Sequence, residues 1–465
     1  MKGILDELPE SLDETYERVL RSINKANRDH AFRLLQCVTV AVRPLHVEEL
    51  AEVLAVDFDA ARNGGIPNVK PDWRWSDQHQ AVLSTCSSLI AIVDHGHYQV
   101  VQFSHFSVKE FLTSDRLACS SGDVSRYHIL LSPAHTILVQ ACLGVLLRLD
   151  DHVTEDDASD IPLTRYAARY WVDHAQFEDV SSHIQEVMEY FFDADKPHWA
   201  AWRRVYDKDD RYWGNMPPSS VTSNPVPLYY AALCGFYGLA GHLVVKNPEH
   251  VNCRGGKMGT PLVAALHRGH FRVANLLHKH GSDTDARSGL WELTPLHGAS
   301  YNGLVDIVQW LLDHGADVNA RAIDGFTSLH LLNVLRRPEI SRILLKHNAD
   351  INARDRFGKV PLHWAAMPSD ASEAKETLIT MRLFLEHGAD PNVRDDHGRT
   401  PLHDSSGWDG YHHTQSKGTV EGSCLLLDRG ANIDAENNEG KTPLQVALQA
   451  GYLEMAEFLS GRGAK

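Results

Sequence analysis

Apolar residues recur every three or four positions through much of the first half of this 465-residue chain, and this spacing predicts amphipathic helices. The first helix is predicted to start at Ser11, with Leu12, Tyr16, Leu20 and Ile23 on one face. The same pattern predicts further helices over residues 31–42, 47–56, 77–88, 127–149, 164–174 and 183–192. The first half is therefore expected to be mainly helical.

A strand–turn–strand pattern follows the first four predicted helices. Residues 89–94 and 98–104 are short β-branched and aromatic runs, and they bracket the turn His95-Gly96-His97. Helices followed by a two-stranded wing predict a winged-helix domain over residues 1–115.

A short phrase returns at regular spacing in the second half. It reads Thr-Pro-Leu or a close variant, and its seven copies start 34, 34, 33, 33, 40 and 42 residues apart, at Val226, Thr260, Thr294, Thr327, Val360, Thr400 and Thr442. A second phrase follows at a fixed offset, as in Leu-Leu-Asp-His-Gly-Ala-Asp-Val-Asn-Ala at 311–320. These motifs closely resemble the ankyrin repeat, from about residue 225 to the end.

One repeat shows how the phrases predict structure. Thr294 caps a first helix, and Pro295 suits the first turn of that helix, where its missing N–H costs nothing. Gly303 ends the first helix and Gly315 ends the second, because glycine readily adopts positive φ. Residues 317–326 form an extended finger that turns at Asp324-Gly325. Because one unit cannot bury its own apolar face, the repeats must stack into an α-solenoid with β-hairpin fingers.

The repeats are irregular at three places. Residues 360–399 hold about seven extra residues around 367–374, and residues 400–441 hold about nine around 407–418. Both insertions are predicted to bulge as loops. The repeat at Val226 has a degenerate finger and is predicted to act as a cap. The expected division is a winged-helix domain at 1–115, a helical linker domain at 116–206, a linker at 207–224, and six or seven ankyrin repeats at 225–465.

Phrases in the first half resemble fungal NACHT–ankyrin proteins. They occur at 11–20, at 45–54 and at 101–112, where the sequence reads Val-Gln-Phe-Ser-His-Phe-Ser-Val-Lys-Glu-Phe-Leu. The resemblance covers residues 3 to about 205 and implies the winged helix that is often labelled after a GPI inositol-deacylase relative. In that family the winged helix follows a NACHT nucleoside-triphosphatase domain, and this chain resembles the part downstream of it. A separate or lost NACHT domain is therefore an expected partner.

Proteins of this family bind nucleotide through a glycine-rich loop in the NACHT domain, so the sequence was searched for such a loop. Gly440-Lys441-Thr442 matches the end of such a loop, but Ala435 occupies the position that requires the first glycine. The match also lies in a repeat finger rather than between a strand and a long helix. The sequence therefore predicts a chain without its own nucleotide-binding domain, with no catalytic residues and no cofactor.

The 28 histidines raise the question of a metal site. Eight of them recur at two repeat positions, which favours hydrogen bonding to adjacent loops or to the end of a helix. They are His297, His330, His363 and His403 after the Pro-Leu phrase, and His280, His314, His347 and His387 near the end of the second helix. His412-His413, with His403 nearby, is a weaker candidate for adventitious metal binding.

Charge and composition argue against several other classes of function. Lys and Arg total 45 against 61 Asp and Glu, a net charge of −16, and Lys109 is the only Lys or Arg between Ser76 and Leu112. This stretch spans the predicted recognition helix and wing, and a single cation there gives little affinity for phosphates, so no nucleic acid is expected. The start lacks an apolar leader, and Pro133 and Arg148 interrupt the most apolar stretch, so no membrane is expected.

The seven cysteines are odd in number, scattered, and never paired as C-x-x-C. This usage predicts reduced thiols in a cytoplasmic protein.

The remaining candidate site is the face formed by finger tips and first helices, because exposed Trp, Phe and Arg often anchor protein interfaces. The predicted function is thus non-enzymatic protein binding, as in the sensor part of a fungal NLR-like protein. The alternative is a fragment of a nucleotide-regulated NACHT NTPase, and titration with ATP and GTP separates the two. The candidate residues are Leu290, Trp291, Leu293, Tyr301, Asn302, Arg321, Ile323, Asp324, Phe326, Arg354, Arg356, Phe357, Lys359, Arg394, Asp396, His397 and Arg399.

Overall fold

A computed structural model places the chain in two compact units, which meet in the sequence between Lys257 and Met258. Both predicted loop insertions, the linker at 207–224, Leu290 and the His412-His413 pair fall wholly or largely outside the described residues. The predicted domain borders stay predictions. The described residues are 12–58, 66–74, 77–86, 88–96, 98–120, 122–150, 161–206, 225–287, 291–335, 337–367, 374–407 and 420–465.

The first unit begins with a winged helix, as the sequence predicts. Its buried core includes Leu34 and Leu50 from the helices and Ile90 and Val101 from the wing. The helices are Leu12–Ser22, Arg28–Val40, Val47–Leu54, Gln78–Cys86, Phe106–Leu112 and Asp115–Ala118.

The wing is a three-stranded antiparallel sheet rather than the predicted hairpin alone. Ile90–His95 pairs with Tyr98–Phe103, and Gly96 between them has a φ of 66°. The additional strand, Leu45–His46, pairs with the other side of Tyr98–Phe103, with Leu45 opposite Val101. A second, two-stranded sheet pairs Val56–Asp57 with Asn68–Val69. Strands of two residues carry too little alternation to be read from a sequence.

Helices complete the first unit and include the first repeat. The sequence predicted helices throughout this region but gave no separate bounds for Val180–His183 and His198–Val205. They are Leu131–Leu146, Thr164–Ala175, Val180–His183, Gln185–Phe191, His198–Val205, Pro227–Leu233 and Tyr237–Lys246.

The second unit repeats one pattern of a short first helix and a longer second helix. Thr294 caps its helix by accepting a hydrogen bond from the His297 backbone, and Gly303 ends that helix with a φ of 74°. The described first helices are Pro261–His267, Pro295–Asn302, Ser328–Leu335, Pro361–Ala366, Pro401–Ser406 and Pro443–Ala450. The second helices are Phe271–Lys279, Val305–Asp313, Pro338–Lys346, Ala374–Glu386, Val420–Asp428 and Leu453–Gly461.

Fingers connect successive helix pairs of the second unit as tight turns. In one finger the Gly325 amide donates to the Ala322 carbonyl at 2.9 Å, and the Ala322 amide donates to the Phe326 carbonyl at 2.9 Å. The described fingers form no regular strands, whereas β-hairpins were predicted. Among the described residues, no helix is both long and apolar enough to cross a membrane.

Candidate interaction surface

Neighbouring finger tips are held together by backbone hydrogen bonds. The amide of Ile323 donates to the carbonyl of Trp291 at 3.1 Å, and the amide of Arg356 donates to the carbonyl of Asp324 at 2.9 Å. The Asp396 amide continues the series to the Phe357 carbonyl at 3.1 Å. The tips therefore form one continuous surface rather than independent loops.

Three neighbouring fingers each expose a large apolar side chain on this surface. Trp291 is 58% exposed, Ile323 is 59% exposed and Phe357 is 37% exposed. The Arg356 guanidinium lies 4.6 Å from the centre of the Phe357 ring and 2.5 Å from the Asp324 carboxylate. Burial of such side chains is strongly favourable, so their exposure marks this surface as a candidate interface.

Most other candidate residues also reach solvent. Leu293 and Phe326 are half-buried, and the Phe326 ring packs on Trp364 with ring centres 5.1 Å apart. The exposed candidates are Tyr301, Asn302, Arg321, Arg354, Arg356, Arg394, Asp396 and His397.

Asp324, Lys359 and Arg399 differ from the expectation that they face solvent, because all three are buried. The Lys359 ammonium lies 2.7 Å from the carboxylate of Asp404, and the Arg399 guanidinium lies 3.0 Å from the other oxygen of the same carboxylate. These two cations are thus held inside the second unit and are removed from the candidate surface. Asp404 was not identified from the sequence, although the equivalent residues in neighbouring repeats, Leu331 and Trp364, are apolar.

Four of the recurring histidines connect each repeat to the finger that follows it. The Thr294 amide donates to Nδ1 of His297 at 3.2 Å, and Nε2 of His297 contacts the Phe326 carbonyl at 3.0 Å. The same pair of contacts recurs at His330, His363 and His403. An Nδ1 that accepts a proton donor is unprotonated, so these rings are neutral and donate through Nε2. The predicted hydrogen bonding to adjacent loops is confirmed for these four residues.

Two histidines at the ends of second helices satisfy carbonyls of the last turn. Nδ1 of His314 contacts the Trp310 carbonyl at 2.7 Å, and Nδ1 of His387 contacts the Leu383 carbonyl at 2.8 Å. Groups of three or more potential metal ligands do not occur in the part of the chain that the structure describes.

Acidification should weaken the second unit through the buried histidines. Burial lowers the pKa of His330 to about 4, whereas an unfolded histidine titrates near 6.5. Between these values the unfolded chain binds the extra proton, so the free energy of unfolding falls as pH falls. For His330 the expected slope is at most about 1.4 kcal/mol per pH unit, and His297, His363 and His403, whose pKa values are also lowered by burial, add to it. Urea denaturation of the full chain between pH 7.5 and 4.5 measures it.

His330→Gln tests the assignment, because Gln445 occupies the equivalent position of the last repeat and its side-chain oxygen accepts from the Thr442 amide at 3.0 Å. In this variant the free energy of unfolding should depend less steeply on pH, by the contribution of one histidine. His280→Gln is the matched control, since the His280 side chain is exposed. Equal slopes for wild type and His330→Gln would contradict the prediction.

The motif that resembles the end of a nucleotide-binding loop is a finger. Gly440 has a φ of 75° in its turn, and the Lys441 ammonium lies 2.7 Å from the Glu439 carboxylate. Thr442 caps the helix that follows. The three residues therefore have structural roles of the kind found in the other repeats.

A groove of about 960 Å³ in the first unit lies between the wing and the helix that starts at Thr164. Several of its charged and aromatic residues already contact one another. Arg43 forms two hydrogen bonds of 2.8 and 2.6 Å to the Glu49 carboxylate, and the His46 and Tyr98 rings stack 4.6 Å apart. The groove is thus a weaker candidate than the finger surface.

Two family models match the chain. The model described as ankyrin repeats matches three times, at residues 228–322, 262–355 and 336–414. The model described as the winged helix domain of GPI inositol-deacylase matches residues 16–122. The chain therefore contains ankyrin repeats in its second half and a winged helix of this type in its first half.

Three curated proteins are similar to parts of the chain. The azaphilone pigments biosynthesis cluster protein L of Monascus ruber is 32% identical over 298 residues, which cover 60% of this chain and 61% of that protein. Ankyrin repeat and SAM domain-containing protein 6 of Mus musculus is 34% identical over 112 residues, covering 24% of this chain and 13% of the relative. Its Rattus norvegicus counterpart is 32% identical over 141 residues, with shares of 30% and 16%. The chain thus spans less than two thirds of each relative.

Proposed function

We propose that this chain is a non-enzymatic interaction protein whose finger tips hold a protein partner. The observation that supports the proposal is the row of exposed apolar side chains at Trp291, Ile323 and Phe357 on adjoining fingers. Ankyrin repeats are interaction modules, and large aromatic residues supply much of the binding energy in protein interfaces. The partner is therefore expected to bury these three side chains.

The proposal extends to the cellular role. The second unit acts as the sensor part of a fungal NLR-like signalling protein in the cytoplasm. The winged helix and the helices after it dock to a NACHT domain. The match to the GPI inositol-deacylase type of winged helix supports this arrangement.

Serine substitution of all three side chains should abolish partner capture. In cross-linking with cell extract followed by mass spectrometry, Trp291→Ser/Ile323→Ser/Phe357→Ser should lose the proteins that the wild type captures reproducibly. Loss of one interface anchor typically costs about 2 kcal/mol or more, which corresponds to about a thirtyfold loss of affinity. Folding should be unaffected because the three side chains are exposed.

Val245→Ser/Leu453→Ser is the matched control, since these side chains are 72% and 68% exposed and belong to second helices rather than to finger tips. The control should capture the same proteins as the wild type. Identical capture by the triple variant would show that the finger surface does not hold the partner.

A further inference from the structure

A row of arginines crosses the fingers of the second unit at one equivalent position. The guanidinium of Arg287 donates to the carbonyl of Arg321 at 2.7 Å, and that of Arg321 donates to the carbonyl of Arg354 at 2.7 Å. Arg354 donates to the carbonyl of Arg394, and Arg394 to that of Glu436, each at 2.6 Å. Each side chain is therefore fixed by the next finger, and the four charges, called here the arginine row, are preorganised.

The guanidiniums of the arginine row keep donors available to a ligand. Each guanidinium has five N–H donors, and the contact with one carbonyl leaves several facing water. The side chains of Arg287 and Arg354 are 43% and 49% exposed, with carboxylates of Glu292 and Asp396 at 3.6 and 3.8 Å. Exposed ion pairs at such distances contribute little to stability, so the carboxylate of a ligand can displace Glu292 or Asp396 from its arginine.

Arg321 and Arg394 make no ion pair with any described residue. In a chain of net charge −16, the arginine row is a local concentration of positive charge. Electrostatic complementarity therefore favours an acidic ligand, and the planar fork of arginine favours carboxylates that bind through two oxygens.

The spacing of the arginine row restricts the shape of that ligand. Packed helices lie about 8–10 Å apart, and the first helices of the repeats that carry Arg321, Arg354 and Arg394 contact one another in series. A polyproline II segment rises about 3.1 Å per residue with three residues per turn, so every third side chain repeats on one face after about 9.3 Å. A β-strand repeats on one face after about 6.6 Å and does not match.

We propose that the arginine row binds an extended proline-rich segment with Asp or Glu at every third position. The inference rests on the proposed function and names the class of partner. Trp291, Ile323 and Phe357 lie on the same fingers and offer the apolar contacts that proline rings seek on aromatic-lined surfaces. The carboxylates meet successive guanidiniums, while the prolines hold the segment extended before it binds.

Fluorescence anisotropy with labelled 15-residue peptides tests the proposal on the full chain. A peptide of five Pro-Pro-Glu units should bind about tenfold or more tightly than a peptide of the same composition with its five glutamates contiguous. Arg321→Gln/Arg354→Gln should weaken binding of the first peptide by about tenfold or more. Arg342→Gln, an exposed arginine on a second helix, should leave binding unchanged.

A gain-of-function variant provides an independent measurement. Glu436 occupies the position of the arginine row in the next finger, so Glu436→Arg extends the row by one charge and should tighten peptide binding. Thermal unfolding of each variant checks that the loss of an arginine–carbonyl hydrogen bond has not unfolded the second unit. If Arg321→Gln/Arg354→Gln unfolds, Arg321→Lys/Arg354→Lys replaces it and should bind the peptide less tightly than the wild type.

Three results would overturn the proposal. The first is equal affinity for the regular and the contiguous peptide. The second is equal binding of a thymidine oligonucleotide of the same charge, which would indicate general anion binding. The third is tighter binding of a helical peptide with glutamate at every seventh position.

The failure of this inference can be distinguished from the failure of the proposed function. Loss of partner capture by the serine variant of Trp291, Ile323 and Phe357, together with no binding of the Pro-Pro-Glu peptide, would reject this inference alone. Unchanged capture by that variant would instead reject the proposed function.

Discussion

Asp404→Asn is expected to destabilise the second unit by about 3–5 kcal/mol. The Asp404 side chain is completely buried, and its two oxygens lie 2.7 Å from Nζ of Lys359 and 3.0 Å from Nε of Arg399. Asparagine keeps the shape but removes the charge, so two buried cations lose the carboxylate that they share. The Asp395 carboxylate is 3.8 Å from the Lys359 ammonium and accepts the backbone amides of His397 and Arg399. Urea denaturation of the full chain measures the loss.

Asp396→Asn is the matched control for Asp404→Asn. The Asp396 side chain is 61% exposed and lies 3.8 Å from Arg354, so the same chemical change there should alter stability by less than about 1 kcal/mol. Similar losses at both positions would mean that the buried charges do not depend on Asp404.

A double substitution separates charge balance from packing. Lys359→Met/Asp404→Leu removes one buried cation with one buried anion and leaves Arg399 and Asp395. Replacing a buried ion pair by apolar side chains of similar volume is often close to neutral. The double variant should therefore be more stable than Asp404→Asn, whereas additive losses would contradict a charge-balance explanation.

The buried charges also show where sequence reasoning stops. The spacing of apolar residues and the repeated motifs predicted the helices. Local chemistry predicted that Thr294 caps its helix and that Gly303 ends it, because each of these features depends on neighbours within a few residues. Lys359 and Arg399 were predicted to lie on the surface because both occupy finger positions of the repeat. Their partner Asp404 is 45 residues from Lys359 in the chain, and no repeat spacing indicates that contact.

The arginine row was visible in the sequence only as four separate arginines. Their common position in the repeat is readable from the alignment of the Thr-Pro-Leu phrases, but the carbonyl that each guanidinium contacts lies 33 to 42 residues later. Similarly, the sequence predicted that the recurring histidines hydrogen-bond to adjacent loops. Only the structure identifies the atom that accepts each bond, such as the Phe326 carbonyl. Periodicity thus locates equivalent residues, and packing decides what they contact.

Trp171→Ala should be as damaging in the first unit, at about 3–5 kcal/mol. Trp171 is fully buried, and its ring centre lies 5.6 Å from those of Phe191 and Trp202 and 5.5 Å from that of Phe236. Phe236 belongs to the first repeat, whereas the other rings belong to the helices before it. The variant leaves a large cavity where these elements meet, so both should lose stability together.

Substitution by phenylalanine is expected to destabilise the protein to different extents at Trp171 and Trp202, the two buried tryptophans of this cluster. Nε1 of Trp202 donates to the Ala168 carbonyl at 2.8 Å, whereas Nε1 of Trp171 has no hydrogen-bond partner among the described residues. Trp202→Phe leaves a buried carbonyl without its donor, which typically costs about 1–3 kcal/mol in addition to lost packing. Trp171→Phe should therefore be the milder of the two changes.

Hydrogen exchange of the full chain locates the effect of Trp171→Ala. Amides of Thr164–Ala175 and of Pro227–Leu233 should lose protection together, because one aromatic cluster stabilises both segments through Trp171, Trp202 and Tyr230. Trp291→Ala removes an exposed tryptophan and should leave protection in both segments unchanged. Loss of protection confined to Thr164–Ala175 would show that the first repeat is held in the first unit by other contacts.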